Sequence, residues 1–369
     1  MKRLVLVGGG HAHVEVLRRF GLAPMPDVEL VLVSPGADTP YSGMLPGLVA
    51  GHYTRADIHI DLEALARFAR ARFLQTAVTA LDPPSQSLRC ADGEQVSYDL
   101  VSLDIGSTPP LDAIPGATES GIPVKPVERF LRYWDAILAY ARGASVQLAV
   151  VGGGAGGVEL ALAMKHRAVS EDADIRVVVV SDRGGIMPTH AAGVRRRVLR
   201  ALEAAGVGVV AGARVAQVEG DRLVLYGGAV MEAQAVVWAT GAAAPEWLAE
   251  TGLALDDRGF IEVRRTLQST SHPNVFAAGD VATVRGHPRP KSGVYAVRQG
   301  PPLAENLRRV LQGRKPRGFT PQRLALALIG TGGRHAIASW GPIAFEGDWV
   351  WRWKDAIDRK FMTRFSSLR

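Results

Sequence analysis

One cysteine, Cys90, stands among the 369 residues of the chain. A lone thiol closes no internal disulfide, forms no Cys-x-x-Cys redox pair and builds no cysteine zinc cluster, so these chemistries are excluded within one chain. Long apolar runs are missing too: nothing approaches the roughly 18 residues of a membrane-spanning helix, and Met1-Lys2-Arg3 leads straight into a strand pattern, as expected of a cytoplasmic protein. Metal-ligand spacing is also lacking. His11 and His13 stand two apart with no carboxylate or third histidine at a suitable distance, so no metal is expected. The signature of disorder is absent, since 47% of residues are hydrophobic and 21% charged, which suits about two domains with sizeable cores. A net charge of +7 would suit nucleic acid, an anionic membrane or phosphorylated ligands. Arg195, Arg196, Arg197 and Arg200 read as the solvated face of a helix, and no nucleic-acid partner is expected.

What is present is a glycine turn, twice. The apolar run Val146 to Val151 enters Gly152-Gly153-Gly154-Ala155-Gly156-Gly157, and Val158 to Met164 leaves with helical spacing. This strand, turn and helix is the dinucleotide fingerprint: Gly152 permits the turn, Gly154 admits a pyrophosphate to the backbone, and Gly157 lets helix and strand pack closely. Leu4 to Val7, Gly8-Gly9-Gly10-His11-Ala12-His13 and Val14 to Phe20 repeat it near the N-terminus, with His13 in place of the third glycine. That replacement is expected to loosen helix against strand. Two further strands end in glycine, Leu100 to Gly106 and Val236 to Gly241, one behind each fingerprint. Two similarly built nucleotide-binding units, one splitting the other, follow from this order. Asn274 to Ala277 closes the first unit and ends in Ala278-Gly279-Asp280, a carboxylate at a strand's C-terminal edge.

Between these motifs, Thr39 to Gly47 reads as an irregular apolar loop, Leu62 to Phe73 as an amphipathic helix, and Val78 to Leu81, Ser87 to Cys90 and Gln95 to Tyr98 as an antiparallel meander turning at Asp92-Gly93. The strand Glu29 to Val33 ends at Ser34, where an acidic residue would grip a ribose. Near the C-terminus, Trp353, Ile357, Phe361, Phe365 and Leu368 share one helical stripe interleaved with Arg352, Lys354, Arg359, Lys360 and Arg364. Such a stripe fits a membrane surface, the first nucleotide-binding unit or a second subunit.

In this order, Gly8-x-Gly10, Gly152-x-Gly154-x-x-Gly157-x-Glu159, Ala239-Thr240-Gly241 and Ala278-Gly279-Asp280 resemble the pyridine nucleotide-disulfide oxidoreductase superfamily over nearly the whole chain. Within it the sequence looks most like type II NADH dehydrogenases and sulfide:quinone reductases. His11-Ala12-His13, Pro40 to Gly47 and Trp353 to Asp358 look like the flavoprotein module found fused to selenide,water dikinase. The resemblance implies an α/β protein with two Rossmann-like domains: an FAD domain (1–111 and 238–318) split by an NAD(P) domain (112–237), then C-terminal strands and an amphipathic helix (319–369). It places FAD on Gly8, Gly10, His11, Ala12, Ser34, Val78, Gly106, Gly279 and Asp280. NAD(P)H falls on Gly152, Gly154, Gly157, Ser181, Arg183 and Gly241, with Glu159 facing the meeting of nicotinamide and flavin. The implied reaction carries hydride from nicotinamide to flavin, then electrons to a small acceptor such as a quinone, on the inner face of the cell membrane. A homodimer is compatible with it. Three departures stand out: the reductase dithiol and sulfide-attacking cysteines are absent, Val294 and Arg298 replace quinone-site glutamines, and Ser181-Asp182-Arg183 suits either NADPH or NADH. A flavin-bearing sensor and a selenium- or sulfur-compound reductase are the alternatives.

Overall fold

The computed structural model describes residues 1–366 and Leu368; Ser367 and Arg369, part of the C-terminal segment, lie outside the described residues. Its frame is two five-stranded parallel sheets. In the first, Lys2–Val7 (β1) lies between Val28–Val33 (β2) and Leu100–Leu103 (β4), with Arg72–Leu74 (β3) beyond β2 and Val275–Ala277 (β10) beyond β4. In the second, Val146–Val151 (β6) lies between Ile175–Val180 (β7) and Ala235–Trp238 (β9), flanked by Gly208–Val210 (β8) and Gly121–Pro123 (β5). The central strands are rich in Val, Leu and Ile because helices and loops cover both faces, and β1, β4, β6 and β9 are buried nearly throughout. In both sheets the first strand has neighbours reached in opposite directions, and the crevice at its C-terminal end is where such sheets bind ligands.

Each glycine turn feeds a helix, His11–Leu22 (α1) from β1 and Ala155–Ser170 (α2) from β6. The meander of Val78–Asp82, Ser87–Cys90 and Gln95–Ser97 forms as expected, and Val215–Glu219, Arg222–Leu225 and Val230–Glu232 repeat it in the second lobe. Cys90 is buried there, and burial raises its thiol pKa. Chain from Gly293–Leu311 (α3) packs across α1, then an antiparallel sheet of Ala327–Gly330, Ala336–Trp340 and Ile343–Gly347 precedes a final helix, Asp348–Ser366 (α4).

Four expectations need correction. The helix from Leu62 ends at Phe68, Arg70 turns through a left-handed φ of 54°, and Phe73 sits in β3, so tertiary pairing with β2 overrides the continuing helical spacing. The loop at Thr39 to Gly47 is partly regular: Asp38–Pro40 pairs with His59–Asp61, and Leu45–Val49 is a short helix with Pro46 in its first turn. Arg197 and Arg200 reach Glu346 on the C-terminal sheet, so that helix face is partly an interface. The apolar stripe of α4 splits, with Phe361 and Phe365 buried while Trp353 and Ile357 remain about 40% exposed.

Candidate functional site

The first glycine turn is crossed by a carboxylate that the sequence reading passed over. Asp104 follows β4, is buried, and its Oδ2 accepts the amides of Ala12 (2.8 Å) and His13 (3.1 Å) at the N-terminus of α1. These are two of the donors that a helix N-terminus leaves without partners. A Cβ on Gly10 would lie 2.3 Å from its Cγ, so only glycine fits there. Burial pushes the Asp104 carboxyl up to about 7. His13 loosens nothing. Its ring is fully buried, with Nδ1 2.7 Å from the Gly8 carbonyl and Nε2 2.8 Å from Ser102 Oγ, tying helix, turn and β4 together. Burial lowers the pKa of His13 and of His11 to about 4, leaving both rings neutral. The Nε2 of His11 is buried with no partner, and its amide finds no acceptor among the described residues.

Around this turn, Gly279 takes a φ of 70° and its amide is held by Gln299 Oε1 at 2.6 Å. Gln299 therefore shapes the Gly-Asp turn. Asp280 meets Lys125, which arrives from the second lobe, at 3.1 Å, and Ser107 Oγ at 3.4 Å, just past the left-handed Gly106. Ser34 is buried at the end of β2, while Val78 begins the meander.

The second turn is barer. A Cβ on Gly157 would stand 2.1 Å from the Gly152 carbonyl, which is the close packing the fingerprint requires. Nothing lies within 4 Å of where a Cβ would be on Gly154 or Gly156. The amides of Ala155, Gly156 and Gly157 find no acceptor among the described residues, leaving the N-terminal end of α2 open. Ser181 ends β7 with its buried hydroxyl unpartnered, Arg183 and Gly241 are exposed, and Asp182 Oδ1 accepts the Gly184 amide.

Where the lobes meet, Glu159 projects from α2. It is not satisfied by its own helix end: Oε1 accepts the Gly330 amide of the C-terminal sheet at 2.8 Å, and burial pushes the carboxyl up to about 7. Lys354 and Asp358 of α4 are its charged neighbours. Lys354 Nζ donates to Asp358 Oδ2 (2.7 Å) and the Gly43 carbonyl (2.6 Å), and Tyr41, beside Asp358, stacks on Phe361 at 4.4 Å. His11 meets Tyr41 edge-on at 5.4 Å. Tyr41, Lys354 and Asp358 therefore belong to the same site as Glu159. The sequence has Tyr41 in the loop, Lys354 in the stripe, and all three residues in the stretches that resemble the flavoprotein module. The signal for Asp358 was a carboxylate four residues after a lysine on a helix.

Residues 2–300 match the family described as pyridine nucleotide-disulphide oxidoreductase. The NADH dehydrogenase-like protein YutJ of Bacillus subtilis is 23% identical over 342 residues, 91% of either chain. Demethylphylloquinone reductase NdbB of Synechocystis is 26% identical over 349 residues, covering 90% of this chain and 85% of that protein. Among solved structures, NDH2 from Plasmodium falciparum in complex with NADH aligns with a TM-score of 0.82 at 14% identity, over 99% of this chain and 97% of that one. The sulfide:quinone oxidoreductase of Aquifex aeolicus aligns at 0.80 and 18% identity, over 100% and 92%. Both share the fold.

Proposed function

The chain belongs to the pyridine nucleotide-disulphide oxidoreductase family, and from that premise we propose that it is an FAD-dependent NAD(P)H:acceptor oxidoreductase with a quinone or similar small molecule as acceptor. FAD belongs to the lobe of residues 1–111 and 238–318, and NAD(P)H to residues 112–237. The observation that carries the reading is the convergence of Glu159 from the second lobe, Tyr41 and Gly43 from the first, and Lys354 and Asp358 from α4 on one partly buried spot.

The residues present suit both dinucleotides. Open amides on α2 and bare Cβ positions at Gly154 and Gly156 admit a diphosphate in the second lobe. The unpartnered His11 Nε2 and the Asp280 carboxylate offer polar contacts in the first. When bound, the flavin supplies two-electron exchange between nicotinamide and acceptor. The chain's part is to bring the two ring systems together and keep water out, which the buried α4 face of Val350, Phe361 and Phe365 helps to do. Glu159 and the Lys354–Asp358 pair can hold a proton and a compensating charge beside the reacting rings, as reduction of a quinone to a quinol requires.

Anaerobic NADH and NADPH, added separately to the yellow protein, are expected to bleach it within seconds, and menaquinone or ubiquinone analogues to restore the colour. A flavin left unbleached by both nucleotides over minutes would sink the reading. Ser181 with Arg183 supports NADPH and Asp182 supports NADH, so the ratio of the two rates reports which contact operates.

A membrane acceptor has its own support. Among the described residues no helix is long and apolar enough to cross a membrane, yet Phe345, Trp349 and Trp353 stack as an outward ladder beside exposed Trp340, Ile343 and Ile357. Exposed aromatics beside the exposed Arg352 suit an anionic interface. Flotation with anionic liposomes should therefore be lost in a Trp349→Ala, Trp353→Ala double variant.

A further inference from the structure

Asp104 poses an electrostatic problem for the first lobe. The N-terminus of α1 should receive an anion, and the chain already places a carboxylate of its own there. Asp104 stands between the two loops that would hold the cofactor: a Cβ on Gly10 would meet its Cγ, and a Cβ on Gly279 would meet its Oδ1, each at 2.3 Å. Both helix amides go to Oδ2, and no donor reaches Oδ1 among the described residues. The open oxygen faces Gly279, and the unpaired amide of His11 stands next in the chain to the Ala12 amide that Oδ2 holds. A diphosphate drawn to that donor comes alongside Oδ1.

Two negative groups cannot share a dry site without a counter-charge or a proton. Few counter-charges are at hand. The charged groups acting on Asp104 are Asp280 on the Gly-Asp turn and Lys125 from the second lobe, while His13 on α1 touches it through its backbone amide. Lys125 already pairs with Asp280, and the His11 and His13 rings are neutral. A proton is the remaining means.

We propose that Asp104 is a positioning residue for the cofactor diphosphate, its protonated carboxyl donating from Oδ1 to a phosphate oxygen, so that flavin binding in this lobe takes up one proton from solvent. This rests on the flavin reading above. Oδ2 keeps both helix amides throughout, and the proton on Oδ1 turns a repulsive contact into a hydrogen bond. Burial alone brings the carboxyl close to neutral before any ligand arrives. Flavin retention is then set by pH through Asp104.

The test is flavin release from the holoprotein, diluted and ultrafiltered between pH 6 and pH 9. For the wild type the dissociation constant should be flat below pH 7 and then rise about tenfold per pH unit. Asp104→Asn mimics the protonated acid, accepting from the helix amides and donating to the phosphate. Its profile should stay flat within about threefold, and at pH 9 it should hold flavin at least about tenfold more tightly than the wild type. If Asp104→Asn does not accumulate, Asp104→Ser, uncharged at every pH, must give the same flat profile. Equal slopes in wild type and variant, or a flat wild-type profile, would overturn the proposal while leaving the flavin reading intact. A wild type that retains no flavin at any pH would defeat the flavin reading itself, and this inference with it.

Discussion

The two glycine turns begin alike, and three of their differences set how each is packed. Where the second lobe has Gly157, Val237 and Ala239, the first has His13, Ser102 and Asp104. In the second, helix meets strand through bare backbone and the helix amides stay open. In the first, an imidazole bridges Gly8 and Ser102, and a carboxylate occupies two helix amides. The same βαβ frame thus supports one end that offers its donors to a ligand and another that has used most of them internally. On the function proposed above, the open end suits a nucleotide that leaves at every turnover. The networked end suits a cofactor that stays.

Exchanging the distinguishing residues is the strongest way to break that contrast. Gly157→His would bring a Cβ to within 2.1 Å of the Gly152 carbonyl, backbone that cannot give way. Without a hydroxyl in place of Val237 the ring would also lack its partner. The rate of flavin bleaching by NAD(P)H should fall about 100-fold, or about 3 kcal/mol, while flavin content stays normal, as stopped-flow absorbance would report. A rate within threefold of wild type would mean the close contact is dispensable. The reverse exchange, His13→Gly, leaves Ser102 and the Gly8 carbonyl unpaired around a cavity. It should cost about 2–4 kcal/mol in urea unfolding, and adding Ser102→Val should recover part of it.

A milder change probes the protonation state of the bridge. His13 is neutral in the folded protein, its pKa lowered to about 4 by burial. Below its ordinary value of 6.5 the unfolded chain binds a proton that the folded chain refuses, so stability is lost as pH falls from about 6.5 toward 4. In His13→Gln the difference from wild type should therefore shrink as the pH is lowered through that window. Thermal melts at pH 7 and pH 5 give the comparison.

How much of this could be read beforehand follows the same division. The sheets, both turns and the Gly279-Asp280 edge were legible because buried parallel strands and glycine turns impose local patterns. Asp104 was not, since an aspartate ending an apolar strand reads as turn chemistry until Gly10 and Gly279 are seen closing on it. His13 was read as a defect because its two partners lie five and 89 residues away. The α4 stripe misled for a geometric reason. Steps of four residues advance about 40° round a helix, so from Trp353 to Phe365 the line winds about a third of the circumference, from solvent into the core. Periodicity alone does not say which end of such a line faces inward.

Each lobe also holds one acid whose carboxyl is pushed up to about 7 by burial, and the two differ in surroundings. Asp104 lies at its glycine turn. Glu159 lies farther along α2, bonded to Gly330 and facing Lys354 and Asp358. For Glu159 the folded protein binds more protons than the unfolded chain between about 4.5 and 7, so its ionisation is a cost that grows as pH rises through that window and is complete above it. Glu159→Gln keeps the bond from the Gly330 amide and removes the titration. The variant should gain stability relative to wild type between pH 5 and pH 8, by about 2 kcal/mol, measured by urea unfolding at both values. A difference that does not change with pH would show that Glu159 is ionised throughout, shielded by Lys354, and that only the first lobe keeps a neutral acid in its crevice.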